Sequence, residues 1–407
     1  MKKIEGGVTA AKGFMASSTA AAIKYKGRTD MAMVYSEKPC AVAGTFTTNV
    51  VKAAPVIWDR NIVKEKGVAQ AVVINSGIAN ACTGEEGLKY CEMTAEAVSK
   101  ALEVPKDMVM VGSTGVIGMQ LPIDRICNGV NDLAKKLDPS IAAGNEAARA
   151  IMTTDTKEKE IAYTFEISGK TVTIGGMAKG SGMIHPNMCT MLSYITTDAL
   201  ISQKLMQQAL SEIVKDSFNM ISVDGDTSTN DTLLVFANGM AGNDLINTEN
   251  EDYKLFYDAL NEVCTYLAKQ MAADGEGATK LVESVVLNAD TKENARTLAK
   301  SVVCSSLTKA AMYGNDANWG RILCALGYSG VEFNPDKVDL YFQHEDKKIL
   351  IFTNGSGTDF SEEEATEILK TEHVVVISDM NMGSESATAF GCDLTHEYVN
   401  INADYRS

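Results

Sequence analysis

The most constraining stretch of this chain lies near its middle. Residues 163–167 and 171–174 are two β-prone runs split by Ser168-Gly169, the pattern of a hairpin with a tight turn. The hairpin feeds straight into Gly175-Gly-Met-Ala-Lys-Gly-Ser-Gly182, too rich in glycine to be expected to hold regular structure. Beyond Pro186 the pattern changes again. From Thr190 the residues alternate, with Met191, Ser193 and Ile195 on one face and Leu192, Tyr194 and Thr196 on the other. A polar loop thus hands a hydroxyl residue to the first position of a buried strand.

Around this stretch, strands and helices follow one another in mixed order. Residues 1–60 alternate short apolar runs (31–35, 41–48) with glycine and threonine, as strands and turns do. A strand is expected at 71–75 and a helix at 85–102, with Leu88, Cys91, Ala95, Val98 and Leu102 at helical spacing. A strand at 108–111 runs into a loop at 112–118, followed by helices at 122–137 and 141–152. After the central stretch come a helix (202–218), a polar loop (221–231), a strand (232–236), a helix (253–271), a strand (280–287) and a helix (292–305). Two strands, a helix and a strand between Val338 and Ser378 form a smaller C-terminal α+β unit, placed at about 331–407. The succession predicts a large mixed α/β protein.

Composition excludes several function classes. The net charge is −16 with no basic patch, which argues against nucleic acid and anionic membrane surfaces as partners. No window approaches the length of apolar residues that a membrane span needs, and no apolar run follows the two N-terminal lysines, so neither a span nor a signal peptide is expected. Nine cysteines, an odd number without a CxxC pair, predict reduced thiols and a cytoplasmic location. The four histidines are far apart, so no metal site is expected.

Four segments offer chemistry. The Gly175–Gly182 run resembles a phosphate loop but has Lys179 before Gly180 and a strand where a helix should follow; a plain glycine turn explains it as well. Thr190, if the bond before it were cut, would carry both a hydroxyl nucleophile and a free α-amine as base; otherwise it is a threonine at the start of a strand. The 112–118 loop can aim backbone N–H groups and the Thr114 hydroxyl at one point, as an oxyanion hole does, or can be a tight turn. Asp224, Asp226, Asn230 and Asp231 cluster as in calcium loops but lack the required glycine and glutamate, which favours a network of Asx turns.

The run Lys179-Gly-Ser-Gly-Met-Ile-x-Pro-Asn-Met-x-Thr-Met-Leu192, closed by Thr197-Asp198-Ala199, resembles the self-cleavage motif of the ornithine acetyltransferase family. Further runs are similar to that family's signatures in the same order: Gly6-Gly-Val-Thr-Ala-x-Lys-Gly-Phe14, Ala43-Gly-Thr-Phe-Thr-Thr-Asn49, Asn75-Ser-Gly-x-Ala-Asn80, Ser222 to Asp231, Gly314-x-Asp-x-Asn-Trp-Gly-Arg321 and the ending Asn400 to Ser407. The resemblance implies a self-processing, N-terminal-nucleophile-like sandwich of mixed β-sheets flanked by helices. It implies cleavage between Cys189 and Thr190, giving an α piece (1–189) and a β piece (190–407). Thr190 would be the nucleophile and Thr114 and Gly115 the oxyanion pair. Thr153, Lys179, Thr190, Glu276, Asn402 and Ser407 would bind substrate. Cys189 stands where the family usually has alanine. The implied reaction carries acetyl from N-acetylornithine to glutamate with no bound cofactor, leaves acetyl-CoA open as a second donor, and belongs to an α2β2 heterotetramer. Two other readings stay in view: a self-processing aminopeptidase or amidohydrolase, and a small-molecule binding protein without turnover.

Overall fold

In the computed structural model, which describes residues 1–185 and 191–403, the central hairpin lies toward one edge of a large mixed sheet. In chain order the strands are β1 (Lys2–Ile4), β2 (Phe14–Thr19), β3 (Met31–Phe46), β4 (Val68–Ile78), β5 (Val109–Val116), β6 (Lys159–Ile167), β7 (Lys170–Lys179) and β8 (Leu192–Thr197). They continue with β9 (Ile221–Ser222), β10 (Thr232–Ala237), β11 (Leu281–Ala289), β12 (Asp339–His344), β13 (Lys347–Thr353), β14 (Ser356–Gly357), β15 (His373–Asp379) and β16 (Glu385–Cys392). Among the described residues the first sheet runs β1-β6-β7-β8-β10-β3-β4-β5, with β2 also beside β3; the second runs β14-β13-β12-β15-β11-β16-β9. Both mix parallel and antiparallel pairs: β8 is antiparallel to β7 and parallel to β10.

The helices are α1 (Ala54–Glu65), α2 (Glu85–Leu102), α3 (Ile123–Lys135), α4 (Ile141–Ala150), α5 (Gln203–Asp216), α6 (Glu251–Ala273), α7 (Lys292–Cys304), α8 (Ser306–Gly314), α9 (Trp319–Gly327), α10 (Glu362–Leu369) and α11 (His396–Ala403). Helix α6 starts where Asn250 accepts a hydrogen bond from the Tyr253 N–H at 3.0 Å and two acids, Glu251 and Asp252, occupy the first turn. It packs on β6 and β7 of the first sheet and on β16 of the second, joining the two layers. None of the described helices is long and apolar enough to cross a membrane.

The alternation foreseen in β8 is realised. Met191 and Ile195 join the core that contains the apolar faces of α5 and α6, while Leu192 and Tyr194 join the opposite core with residues of β3 and β4. All six residues of β8 are buried, as expected for a strand covered on both faces. The second sheet is more one-sided: Val282, Ser284 and Val286 of β11 are buried and the residues between them half-buried.

Three expectations change. The glycine-rich run is not irregular throughout, because Gly175 to Lys179 complete β7. Their backbone groups pair with β6 on one side and β8 on the other, which outweighs glycine's weak strand preference. A Cβ on Gly175 would run into the Gly7 carbonyl, so close approach of two chain segments requires the glycine there. The loop expected at 112–118 is strand through Val116, paired in parallel with β4; Gly112 makes room for the buried Tyr194 hydroxyl. The C-terminal unit expected at about 331–407 is part of a larger sheet, since β12 and β15 continue onto β11 and β16, and β9 joins the far edge. The sequence reading also missed α1, α8, α9, α11 and β16, and divided the 16-residue β3 in two at its irregularity between Tyr35 and Cys40.

Candidate active site

Six sequence-predicted site residues come from five separate parts of the chain and line one cavity of about 130 Å³: Thr114, Gly115, Thr153, Lys179, Glu276 and Asn402. Thr114 and Gly115 lie near the end of β5, Thr153 in the turn after α4, Lys179 at the last position of β7, Glu276 just beyond α6, and Asn402 on α11. Cys189, Thr190 and Ser407 lie outside the described residues. The chain on either side of 186–190 is firmly held. On one side, Asp224 accepts from the N–H groups of Met183 (2.6 Å) and Ile184 (2.9 Å). On the other, the Met191 carbonyl accepts from the Thr232 N–H at 2.8 Å. Both Ile184 and Met191 line the cavity.

Gly115 has φ +129°, and a Cβ there would lie 2.7 Å from Gly77 Cα on the neighbouring strand, so only glycine lets β5 lie this close to β4. The adjoining loop is pinned to β5 by Asn230, whose Nδ2 donates to the carbonyls of Ala79 (2.6 Å) and Ser113 (2.8 Å). The acidic cluster at 224–231 therefore serves to fix backbone: Asp224 caps the chain before 186, and Asn230 anchors the strand bearing Thr114.

Lys179 is buried, and its Nζ donates to Thr153 Oγ1 at 2.7 Å and to Thr114 Oγ1 at 3.3 Å. Behind it lies Asp155, a residue for which the sequence carried no signal. One of its oxygens accepts from Lys159 Nζ (2.8 Å) and the Gly180 N–H (2.6 Å); the other accepts from the Thr153 N–H (3.0 Å) and faces Lys179 Nζ at 3.9 Å. Lys159 also donates to Asp274 at 2.6 Å. Burial alone would raise the Asp155 pKa, but Lys179 and Lys159 outweigh it and hold the carboxyl below the ordinary carboxylate range. Burial draws the Lys179 ammonium below the usual lysine range, with Asp155 opposing it.

Glu276 is held by its neighbours on both sides. Its N–H donates to the Ser181 carbonyl at 2.8 Å, and its carboxylate accepts from Asn402 Nδ2 at 2.7 Å. Gly182 lies so near that a Cβ there would collide with the carboxylate. Asp231 completes the wall. It is buried, its Oδ2 has no hydrogen-bond partner among the described residues, and burial raises its pKa well above the ordinary carboxylate value, which favours the neutral acid. The cavity thus combines a hydroxyl and a tight glycine strand end, a buried ammonium and a carboxylate. Such a set can hold a zwitterionic amino-acid derivative beside a polarised carbonyl.

Known proteins share this chain's pattern over nearly its whole length. The model of the ArgJ family matches residues 15–407. The arginine biosynthesis bifunctional protein ArgJ 1 of Clostridium acetobutylicum is 51% identical over 394 residues, covering 97% of this chain and 96% of that protein. The arginine biosynthesis bifunctional protein ArgJ of Symbiobacterium thermophilum is 50% identical over 409 residues, covering 100% of both. Among solved structures, a chain of the arginine biosynthesis bifunctional protein from Bacillus halodurans is 47% identical with a TM-score of 0.50, covering 52% of this chain and 97% of that one.

Proposed function

Because the chain belongs to the ArgJ family, an acetyltransferase family of arginine biosynthesis, we propose that it carries acetyl from N-acetylornithine to glutamate through an acetyl-Thr190 intermediate. The observation that carries this reading is the single cavity joining Thr114, Gly115, Thr153, Lys179, Glu276 and Asn402, walled by both described flanks of the 186–190 segment. Thr190 is one peptide bond from Met191, which lines that cavity.

In this reading the chain first cuts itself. Thr190 Oγ attacks the Cys189 carbonyl, the Thr190 nitrogen leaves as an amine, and water hydrolyses the resulting ester to free the Cys189 carboxylate. Supporting this, the solved Bacillus halodurans chain aligns over 97% of itself yet spans 52% of this one, about the length of one cleavage piece. The new α-amine then serves as base for its own hydroxyl. Thr190 Oγ attacks the acetyl carbonyl, the oxyanion rests on the Thr114 hydroxyl and the Gly115 N–H, and ornithine leaves with a proton. Glutamate's amine reverses the sequence, taking acetyl from Thr190. Lys179 holds the α-carboxylate common to both substrates, and Glu276, steadied by Asn402, holds the cationic side chain of ornithine. No bound cofactor enters these steps. The assembly is an α2β2 tetramer in which Ser407 closes the site with Asn402.

Electrospray mass and an acetyl-transfer assay test the reading together. The wild-type chain should give two masses that break between Cys189 and Thr190, and should make N-acetylglutamate from N-acetylornithine. Thr190→Ala should give one intact mass and no transfer. An intact chain that still transfers acetyl refutes the proposal, and release of acetate in place of N-acetylglutamate favours an amidohydrolase. Offering acetyl-CoA as donor in the same assay decides whether this chain has a second acetyl source.

A further inference from the structure

A second cavity, of about 230 Å³, lies against the first and shares Gly115, Thr153 and Thr154 with it. The two differ in charge. The first ends on the Glu276 carboxylate, whereas the second is lined by Lys24, Tyr25 and Arg28. These belong to the run Lys24-Tyr-Lys-Gly-Arg28, three cations in five residues of a chain whose net charge is −16. Among the described residues the second cavity has one carboxylate in its lining, Asp30, whose Oδ1 accepts from the Ala21 N–H at 2.7 Å and Oδ2 from the Ile23 N–H at 2.6 Å, folding the loop back on itself. The loop is also tied to the first cavity. Arg28 Nη2 donates to the carbonyls of Met152 (2.6 Å) and Thr153 (3.2 Å), and its Nη1 and Nε find no acceptor among the described residues. Gly77, with φ +105°, keeps β4 close to the Lys24 stem, where a Cβ would come within 3.2 Å of Lys24 Cβ.

The proposed reaction poses an electrostatic problem that these two cavities resolve. Donor and acceptor share an α-amino-acid frame but carry side chains of opposite charge, an ammonium on ornithine and a carboxylate on glutamate. A side-chain pocket built around Glu276 attracts the first and repels the second. Resting on the function proposed above, we propose that the acceptor's anionic side chain turns the other way, past Gly115 and Thr153, into the cavity lined by Lys24 and Arg28. The acetyl group stays at the shared wall while the two half-reactions use subsites of opposite sign. Lys24 is then a specificity-determining residue for the dicarboxylic acceptor, and has no part in taking acetyl from the donor.

The two half-reactions can be measured apart. Acetylation by N-acetylornithine is followed as ornithine release in a single turnover, and deacetylation is then followed with glutamate or with its neutral isostere glutamine. Lys24→Gln should leave acetylation within twofold of wild type, lower kcat/KM for glutamate about tenfold or more through KM, and leave glutamine unchanged. Lys24→Arg should keep most of the preference for glutamate. A Lys24→Gln enzyme with an unaltered glutamate-to-glutamine ratio overturns the inference, as does one that loses both acceptors equally. If wild-type protein releases no ornithine in the first step, the reading of function itself fails, and that is seen before any acceptor is added.

Discussion

Asp155 offers the sharpest test of how the site is held together. Its side chain is fully buried, and its two oxygens meet four donors: Lys159 Nζ and the Gly180 N–H on one, the Thr153 N–H and, at 3.9 Å, Lys179 Nζ on the other. Replacing it with asparagine keeps the shape but turns one oxygen into an NH2 group. Whichever way the amide is turned, that group faces a donor. Lys159 keeps Asp274 as a partner, but Lys179 loses its nearest counter-charge while remaining buried. Removing one partner from a buried, hydrogen-bonded ion pair costs about 3–5 kcal/mol, and Asp155→Asn should fall in that range. Lys179→Gln should cost less, about 1–2 kcal/mol, because Asp155 keeps Lys159 and two backbone N–H groups. In the double variant the glutamine can accept from the amide, so the two losses should fall short of additive by more than about 1 kcal/mol. Urea unfolding in a Thr190→Ala background, in which the proposed self-cleavage cannot occur, gives these values from the midpoint at unchanged m. The pH dependence has a definite sign. The folded Asp155 pKa lies below the ordinary 3.8, so its contribution is present above that pH and is lost as pH falls through the folded value. Asp155→Asn should therefore lose less stability than the parent chain on acidification below pH 4. A variant within about 1 kcal/mol of its parent, or strictly additive with Lys179→Gln, would refute this account of the network.

Two other outcomes follow from the backbone and core around the site. Gly115→Ala should destabilise by roughly 3 kcal/mol or more and abolish transfer, because the new Cβ meets the Gly77 backbone at a φ of +129°. Gly118→Ala, at φ +86° with nothing within 4 Å, should cost only about 1 kcal/mol, and equal thermal shifts for the two would refute the close-approach argument. Asp59 on α1 is buried, its Oδ2 has no partner among the described residues, and burial raises its pKa well above the ordinary 3.8 despite the hydrogen bond from the Val111 N–H. The folded state thus holds a proton that the unfolded chain releases above that pH, and stability falls as pH rises toward the folded value, by at most about 1.4 kcal/mol per unit. Asp59→Asn removes that slope, so its Tm advantage over wild type should be larger at pH 8 than at pH 5; an equal difference at both would count against a neutral Asp59.

Much of the local architecture was legible without coordinates. The Ser168-Gly169 hairpin, helix 85–102 and the two-faced strand after Thr190 follow from period and turn chemistry, which act over a few residues. Helix α2 shows where that reasoning stops: Cys91, Ala95 and Val98 are buried as expected, but Leu88 is 40% exposed and Gly87 takes the inward position. Position along the helix gives the spacing of a face, and the neighbouring elements choose its rotation. The glycines at 112, 175 and 115 carry the same lesson. Composition marked them as loops, whereas in the sheet each is a place where another segment comes too close for a side chain.

By itself the sequence determined the order of the elements with strong local signals, the mixed α/β class and, through its motifs, the family. The residues Thr114, Gly115, Thr153, Lys179, Glu276 and Asn402 could be named from it, but not as neighbours, for they are spread over nearly three hundred positions. Only the tertiary structure brought them to one cavity, and only it disclosed Asp155 as the counter-charge behind Lys179 and the Lys24–Arg28 loop as a second, oppositely charged wall. The physical reason is range. Backbone preference and periodicity are local and can be read along the chain, whereas burial, charge pairing and close backbone approach depend on which distant segments meet.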